Sequence, residues 1–326
     1  MATDKEIAQA LWYVAPGRAE IREERLTPLV SGHVRVRALH SALSRGTEAL
    51  IAAGRVPESE FTRMRAPFMG GNFPFPVKYG YAAVGRVEQG PPLMNGRTVF
   101  ALHPHQTLFD LPGTAVVPLP EGVPPARGVL AANMETALNA TWDMDGGPSG
   151  RIAVVGAGVV GALTGFLCAR TSGADVTLVD VNPARAEVAR ALGVKFAAPE
   201  AAPRDCQWVV HASASAAGLK TALDLAADEA TVLELSWYGA GDVPVPLGGA
   251  FHSRRLKLVA SQVGMVAPSR RASTTHRQRL EAAIALLADP RLDVLLAPAI
   301  SFQDLPQRLP DILGGKSGVL CQVINY

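Results

Sequence analysis

Three glycines at Gly-x-Gly-x-x-Gly spacing close the apolar run Ile152-Ala-Val-Val-Gly156-Ala-Gly158-Val159-Val160-Gly161, and a second apolar run, Val176-Thr-Leu-Val-Asp180, ends in an acid. The spacing suits the binding of a dinucleotide. Gly156 permits a tight turn, Gly158 carries no Cβ to hold off a pyrophosphate, and Gly161 lets a helix approach its strand closely. A helix-like stretch from Ala162 follows, and its N-terminus, beside Val159 and Val160, offers amides without intrahelical partners to the phosphates. The acid lies at the expected distance of about 20 residues and suits the adenosine ribose hydroxyls. It would repel a 2′-phosphate, so Asp180 favours NAD over NADP. Val181, Asn182 and Arg185 follow it and are expected along the adenosine, with Arg185 opening a helix.

Such a motif needs a strand before it, a helix after it and a second strand beyond. The β-branched residues before Gly156, the stretch Ala162 to Thr171 and the run Val176 to Val179 supply these. A competing reading is membrane insertion, because Ile152 to Ala169 carries no charge and approaches the length of a spanning helix. Three glycines inside it and a β-like run soon after weigh against that reading, and no membrane association is expected.

The rest of the chain separates into two textures. Up to Pro125 short strands alternate with glycine and proline. Ser31 to Ala38 alternates apolar and polar residues, Val77 to Val87 is strand-like but broken at Gly80 and Gly85, and Asn95-Gly96 is a hairpin turn before Arg97 to Leu102. This pattern predicts a small barrel or sandwich. Helical spacing covers Ala126 to Trp142. From Arg151 strands and helices alternate, with helices at Arg185 to Leu192 and Ala216 to Ala226 and strands at Gln207 to Ala212 and Thr231 to Leu235. Alternation of this kind predicts an α/β unit, a Rossmann doubly wound parallel sheet. Beyond Ser261 come a helix at Arg277 to Leu287, a short helical stretch ending at Ile312, and a closing strand at Val319 to Ile324.

Composition narrows the partners. The chain has 326 residues, 48% hydrophobic and 18% charged, with a net charge of +2. That balance offers no basic face for nucleic acid. The three cysteines stand far apart without a CxxC pair, which suits a reducing compartment. With a charged N-terminus lacking an apolar signal core, the expectation is a cytoplasmic protein acting on a small molecule.

Four segments in order resemble the medium-chain dehydrogenase/reductase superfamily. Leu43-Ser-Arg45-Gly-Thr47-Glu48 resembles its Cys-Gly-Thr-Asp segment, and Lys78-Tyr-Gly80-Tyr81-Ala-Ala-Val-Gly85 resembles its Gly-His-Glu-x-x-Gly segment. Asn95-Gly-Arg-Thr-Val resembles its Gly-Asp-Arg-Val turn, and Gly314-Gly-Lys-Ser-Gly-Val-Leu-Cys-Gln-Val its closing strand. The resemblance implies a GroES-like β-rich catalytic domain at 1–133 and 262–326, a Rossmann domain at 134–261, and a homodimer. The Ser-Arg-Gly-Thr-Glu segment and the stretch Val99 to Gln106 look most similar to the bacteriochlorophyllide a dehydrogenase branch.

The departures from that pattern concern zinc. Arg45 stands where the family has a cysteine ligand, Tyr81 where it has a histidine, and Ala132 near the third ligand. Arginine cannot deprotonate into a ligand, so no metal is expected. His103, His105 and His252 are the other metal candidates, with spacing wrong for a zinc pattern.

Without zinc a proton donor must relieve charge on the substrate oxygen. Tyr81 is the first candidate, with Arg45 and Lys78 as cations to lower its pKa, Glu48 to orient it and Thr47 to relay a proton toward the cofactor ribose. Arg45 and Glu48 equally suit a structural pair, and Tyr81 a packed aromatic. Lys78, Glu135 and Tyr238 are candidate substrate contacts, although Glu135 also suits plain helix surface. The resemblance places Ala212, Ser213, Ser236 and Trp237 along the cofactor. The expected activity is NAD-dependent hydride transfer to or from a secondary alcohol or carbonyl. An NAD(P)H-dependent enone or quinone reductase and a non-catalytic dinucleotide-binding protein are the alternatives.

Overall fold

The computed structural model describes residues 6–315 and 318–326, so Lys316 and Ser317 of the closing motif lie outside the described residues. The chain forms two compact units: residues up to Ala132 joined by Leu296–Tyr326, and Asn133–Leu295.

The first unit is built on two sheets. One has the order β2-β1-β5-β4, from β1 (Ile7–Ala15), β2 (Arg18–Arg25), β4 (Gly70–Gly71) and β5 (Val77–Lys78). The other uses β3 (His33–Leu43), β6 (Ala83–Gln89), β7 (Thr98–Ala101), β8 (Leu108–Pro112), β9 (Val116–Pro118), β16 (Leu296–Ser301) and β17 (Cys321–Asn325). Its order is β16-β17-β3-β6-β7-β9, with β8 also paired to β3. The C-terminal segment belongs here because β17 pairs antiparallel with β3. Gly96 makes the turn between β6 and β7 at φ +76°. The helices are α1 (Arg45–Ala52), α2 (Pro125–Gly128) and α8 (Leu305–Leu313).

The alternation over Ser31 to Ala38 led us to expect a half-exposed strand. Val34, Val36 and Ala38 face the core and Arg37 is exposed, but one residue of the polar face is covered. Arg35 is only 5% exposed, and its guanidinium meets both Asp110 oxygens at 2.8 and 2.7 Å. A paired charge can be buried where a lone one cannot.

The second unit carries one parallel sheet in the order β12-β11-β10-β13-β14-β15. Its strands are β10 (Gly150–Val155), β11 (Ala174–Val179), β12 (Lys195–Ala197), β13 (Cys206–His211), β14 (Ala226–Glu234) and β15 (Lys257–Ala260). Between them run α4 (Val159–Ala169), α5 (Arg185–Leu192) and α6 (Ala216–Leu225), with α3 (Ala131–Asp143) before and α7 (His276–Leu286) after. Side chains alternate across β10. Ala153 and Val155 join the cluster that holds Leu219 and Leu223 of α6, while Val154 faces Gly165 of α4. Strand order reverses between β10 and β13, the crevice where such sheets carry ligands.

Residues 262–295, expected in the first unit, belong to the second. Arg279 of α7 is the reason. Its side chain is 1% exposed and donates to Glu135 at 3.0 Å, to the Met265 carbonyl at 3.1 Å, and to Asn139 and the Val263 carbonyl. Glu135 is therefore neither helix surface nor a free substrate group, because its carboxyl anchors α7 to α3. Burial raises its pKa against the opposing pull of Arg279.

Removing one partner of a buried pair leaves an uncompensated charge. Arg279→Met should lower stability by about 3–5 kcal/mol. The double variant Glu135→Met, Arg279→Met should recover most of that loss. Urea unfolding of the three proteins checks both outcomes.

Candidate active site

In the second unit β10 ends at Val155, and the chain turns at Gly156 with φ +101°. A Cβ on Gly156 would stand 2.6 Å from the Ser213 amide nitrogen, and one on Gly161 would stand 1.9 Å from the Gly156 carbonyl oxygen. These two positions must be glycine for the loop, α4 and the end of β13 to meet. Gly158 is different: a Cβ there meets nothing within 4 Å. No contact inside the unit requires its small size, and the space it leaves open suits a pyrophosphate. Asp180 follows β11 and accepts from the Ala157 amide at 2.7 Å and the Asn182 amide at 2.8 Å. Each carboxylate oxygen keeps a lone pair for a ribose hydroxyl. Val181 is exposed beside it, Asn182 caps the Ala184 amide at 3.0 Å, and Arg185 opens α5. Val159 and Val160 form the first turn of α4. The residues present fit a dinucleotide.

Ala212 and Ser213 follow β13, and Ser236, Trp237 and Tyr238 follow β14. Ser236 Oγ accepts from the Ala214 amide at 3.0 Å. The Tyr238 hydroxyl donates to Glu234 at 3.1 Å, so it is already engaged within its own unit.

In the first unit the sequence-predicted group centres on Glu48, which is fully buried. Its carboxyl accepts from the Tyr13 hydroxyl at 2.7 Å and from the Ser44 amide at 2.8 Å, and lies 3.0 Å from His105 Nε2. His105 Nδ1 meets Ser41 Oγ at 2.7 Å, and Ser41 meets the Tyr326 hydroxyl at 2.8 Å. The Tyr81 hydroxyl donates to Ser44 Oγ and lies 3.3 Å from Thr47 Oγ1. Tyr81, Ser44 and Thr47 form one hydroxyl cluster, held at its base by Glu48.

Three expectations are corrected here. Glu48 does not take up Arg45 or the Tyr81 hydroxyl. Its hydrogen bonds come from Tyr13, Ser44 and His105, while Arg45 reaches the Val319 carbonyl. Lys78 does not serve as a cation for Tyr81, because it is held by Glu24 at 2.6 Å and Gln106 at 2.8 Å. The Tyr81 pKa is raised rather than lowered. Burial pushes it up to about 12, against the pull of the Ser44 and Thr47 hydroxyls. Ser44, His105 and Tyr13 were not expected at this site. The only sequence signal was the pair of histidines flanking Pro104. His103 separates from His105, with its ring stacked on Phe109 at 3.8 Å and burial lowering its pKa to about 3.

Among the described residues no three of His, Cys, Asp and Glu stand together as a metal would need. Glu48 and His105 are the two ligand types here, and both are spent on each other and on hydroxyls. A catalytic zinc takes three protein ligands. Among the described residues no helix is long and apolar enough to cross a membrane.

No protein-family model matches the chain, and no curated protein matches it. Solved structures do. L-idonate 5-dehydrogenase of Escherichia coli matches with TM-score 0.78 at 13% identity, covering 99% of both chains. A Sinorhizobium meliloti protein described as a zinc-binding dehydrogenase, bound to NADP, matches with TM-score 0.75 at 16% identity over 99% of this chain and 100% of its own. A short chain alcohol dehydrogenase of Escherichia coli in complex with NADH matches with TM-score 0.74 at 14% identity over 98% and 99%. The chain has the fold of these dehydrogenases, a Rossmann α/β unit with a β-rich unit.

The glycines make separable predictions. Gly161→Ala should cost about 1–3 kcal/mol of stability, because its Cβ meets backbone that cannot move aside. Gly158→Ala should unfold at the wild-type temperature yet bind NADH roughly tenfold more weakly or worse, because its Cβ enters the pyrophosphate space. Calorimetry and fluorescence titration separate the two.

A second prediction concerns pH. All five tyrosines, Tyr13, Tyr79, Tyr81, Tyr238 and Tyr326, have pKa values raised chiefly by burial above the ordinary 10.0. The folded chain therefore holds protons that the unfolded chain releases, and stability falls as pH rises. For Tyr81 the contribution is complete below 10.0 and lost on passing about 12. Tyrosinate absorbance of the native protein should lag behind that of the urea-unfolded protein across this window.

Proposed function

We propose that the chain is an NAD-dependent, zinc-independent oxidoreductase acting on a secondary alcohol or carbonyl compound. The observation that carries this reading is the glycine corner at Gly156–Gly161, with Gly158 left open and Asp180 fixed by the Ala157 amide at 2.7 Å. The negative charge of Asp180 favours a ribose 2′-hydroxyl over a 2′-phosphate. When bound, the dinucleotide supplies or accepts the hydride.

The residues of the first unit account for the proton. The Tyr81 hydroxyl stays protonated up to a pKa of about 12 and donates to a developing alkoxide, which is the stronger base. Ser44 and Thr47, its present partners, relay a proton from water back to it through their own hydroxyls. Glu48 positions Ser44 through the backbone amide at 2.8 Å and leaves the Ser44 hydroxyl to Tyr81. A donor of this strength is a poor base at neutral pH. Alcohol oxidation releases a proton, and it needs the ionised hydroxyl as base, so its rate gains as pH rises. The substrate class proposed is a ring-bearing or polar secondary alcohol, or the corresponding carbonyl compound.

Loss of the donor should show in the chemical step. Tyr81→Phe should lower kcat for carbonyl reduction by about 10²–10⁴-fold with little change in NADH affinity. The parent chain should bind NADH more tightly than NADPH, and Asp180→Ala should narrow that gap. Label transfer from 4-deuterated NADH across a panel of ketones, enones and quinones tests the substrate class. Transfer to enones alone, or tight binding with no transfer to any acceptor, would contradict this reading.

A further inference from the structure

The adjacent strand ends β13 and β14 carry a hydrogen-bonded set of imidazole, carboxylate and hydroxyl groups to which the proton transfer above assigns no part. β13 ends at His211, which is fully buried. Its Nδ1 faces the two Glu234 oxygens at 2.9 and 2.7 Å, and its Nε2 faces Ser213 Oγ at 2.7 Å. Glu234 pairs in register with His211 across the sheet. Its carboxyl also accepts from the Tyr238 hydroxyl at 3.1 Å and the Ser236 amide at 2.8 Å. Burial pushes the Glu234 pKa up, but the hydrogen bonds from His211 and Ser236 outweigh it, and the net shift is downward. An ionised carboxylate against Nδ1 keeps the proton on that nitrogen and leaves Nε2 as a base toward the serine. Hydroxyl, imidazole and carboxylate in this order make up an activated nucleophile.

The backbone supplies the matching context. Ser213 stands at the corner where a parallel strand gives way to α6, flanked by Ala212 and Ala214. Ala214 holds φ +52°, a strained value for a residue with a side chain. A Cβ on Gly218 would stand 2.0 Å from Ser213 Oγ and 2.9 Å from His211 Nε2, so glycine there is what lets hydroxyl and imidazole meet. A serine on a tight strand-to-helix turn among small residues is the arrangement that presents a nucleophile at the edge of a parallel sheet. The first amides of α6, at Ala216 and Ala217, lie on the same corner and have no intrahelical partners. The Ala214 amide is given to Ser236 Oγ at 3.0 Å, so the amides at the start of α6 are the donors assigned to an oxyanion. Ser213 is part-exposed, whereas the base behind it is sealed from water.

We propose that Ser213 is an acyl-accepting nucleophile, giving the chain a carboxylic-ester hydrolase activity separate from hydride transfer. Ser213 Oγ attacks the ester carbonyl, and an Oγ–carbon bond forms as the proton passes to His211 Nε2. The bond to the alkoxy oxygen then breaks, and the leaving alcohol takes that proton. Water, activated by the same imidazole, releases the carboxylic acid and restores the serine. Glu234 orients the imidazole and keeps its own charge throughout. Ester and water become acid and alcohol, with no change of oxidation state.

The test uses the full chain without dinucleotide, so its outcome is independent of the oxidoreductase reading. A fluorophosphonate probe should form one adduct per chain, located on Ser213 by peptide mass spectrometry. p-Nitrophenyl acetate should give a burst that Ser213→Ala abolishes. His211→Gln should slow labelling by about 10²-fold or more, with folding checked by circular dichroism. Should that variant fail to fold, Ser213→Cys replaces it. Its thiol should react with iodoacetamide at pH values well below the usual thiol range, as a histidine-paired thiolate does. No adduct at Ser213, equal labelling rates with and without a folded His211, or a thiol of ordinary reactivity in the Ser213→Cys variant would reduce the set to a structural tie between two strand ends and overturn the proposal.

Discussion

Burial of the Glu48 carboxyl is the constraint on which the first unit depends. A carboxyl removed from water is costly unless its lone pairs are satisfied. Tyr13 on β1, His105 after β7 and the Ser44 amide before α1 satisfy it. His105 then engages Ser41 on β3, and Ser41 engages the C-terminal Tyr326. One acid thus ties both sheets, the first helix and the last residue of the chain together. The hydroxyl cluster of Tyr81, Ser44 and Thr47 is placed from this anchor.

The second unit solves a different problem, that of bringing strand ends close together. Gly156, Gly161 and Gly218 each remove a Cβ that would collide with backbone or with Ser213. At the reversal of strand order between β10 and β13, two chemistries become neighbours. The Gly-rich turn and Asp180 form the corner proposed to hold a dinucleotide, while His211, Ser213 and Glu234 form one hydrogen-bonded set. Both arise because parallel strands deliver their C-terminal residues to one edge of the sheet.

The legible parts of the chain were those fixed by short-range spacing. The glycine motif, the terminal acid, the alternation of strands and helices and the start of α6 could all be read from neighbouring residues. Contacts between distant residues could not. Glu135 and Arg279 are 144 positions apart, Lys78 and Glu24 are 54 apart, and Glu48 and His105 are 57 apart. Each pairing changed the role expected of a residue. The assignment of residues 262–295 failed for the same reason, because α7 is recruited by a buried ion pair that leaves no local signature. The pairing of His211 with Ser213 was within local reach at two positions' separation. It went unread because Glu234, which gives it chemical meaning, arrives from the next strand.

The central claim is that hydroxyl groups anchored by Glu48, in place of a divalent cation, supply the proton that accompanies hydride transfer. Its most direct test is elemental analysis of the purified chain, coupled to deuteride transfer from labelled NADH before and after exhaustive chelation. Substoichiometric transition metal and a transfer rate unchanged by the chelator are the predicted results. A stoichiometric metal whose removal abolishes transfer, and whose return restores it, would contradict the claim.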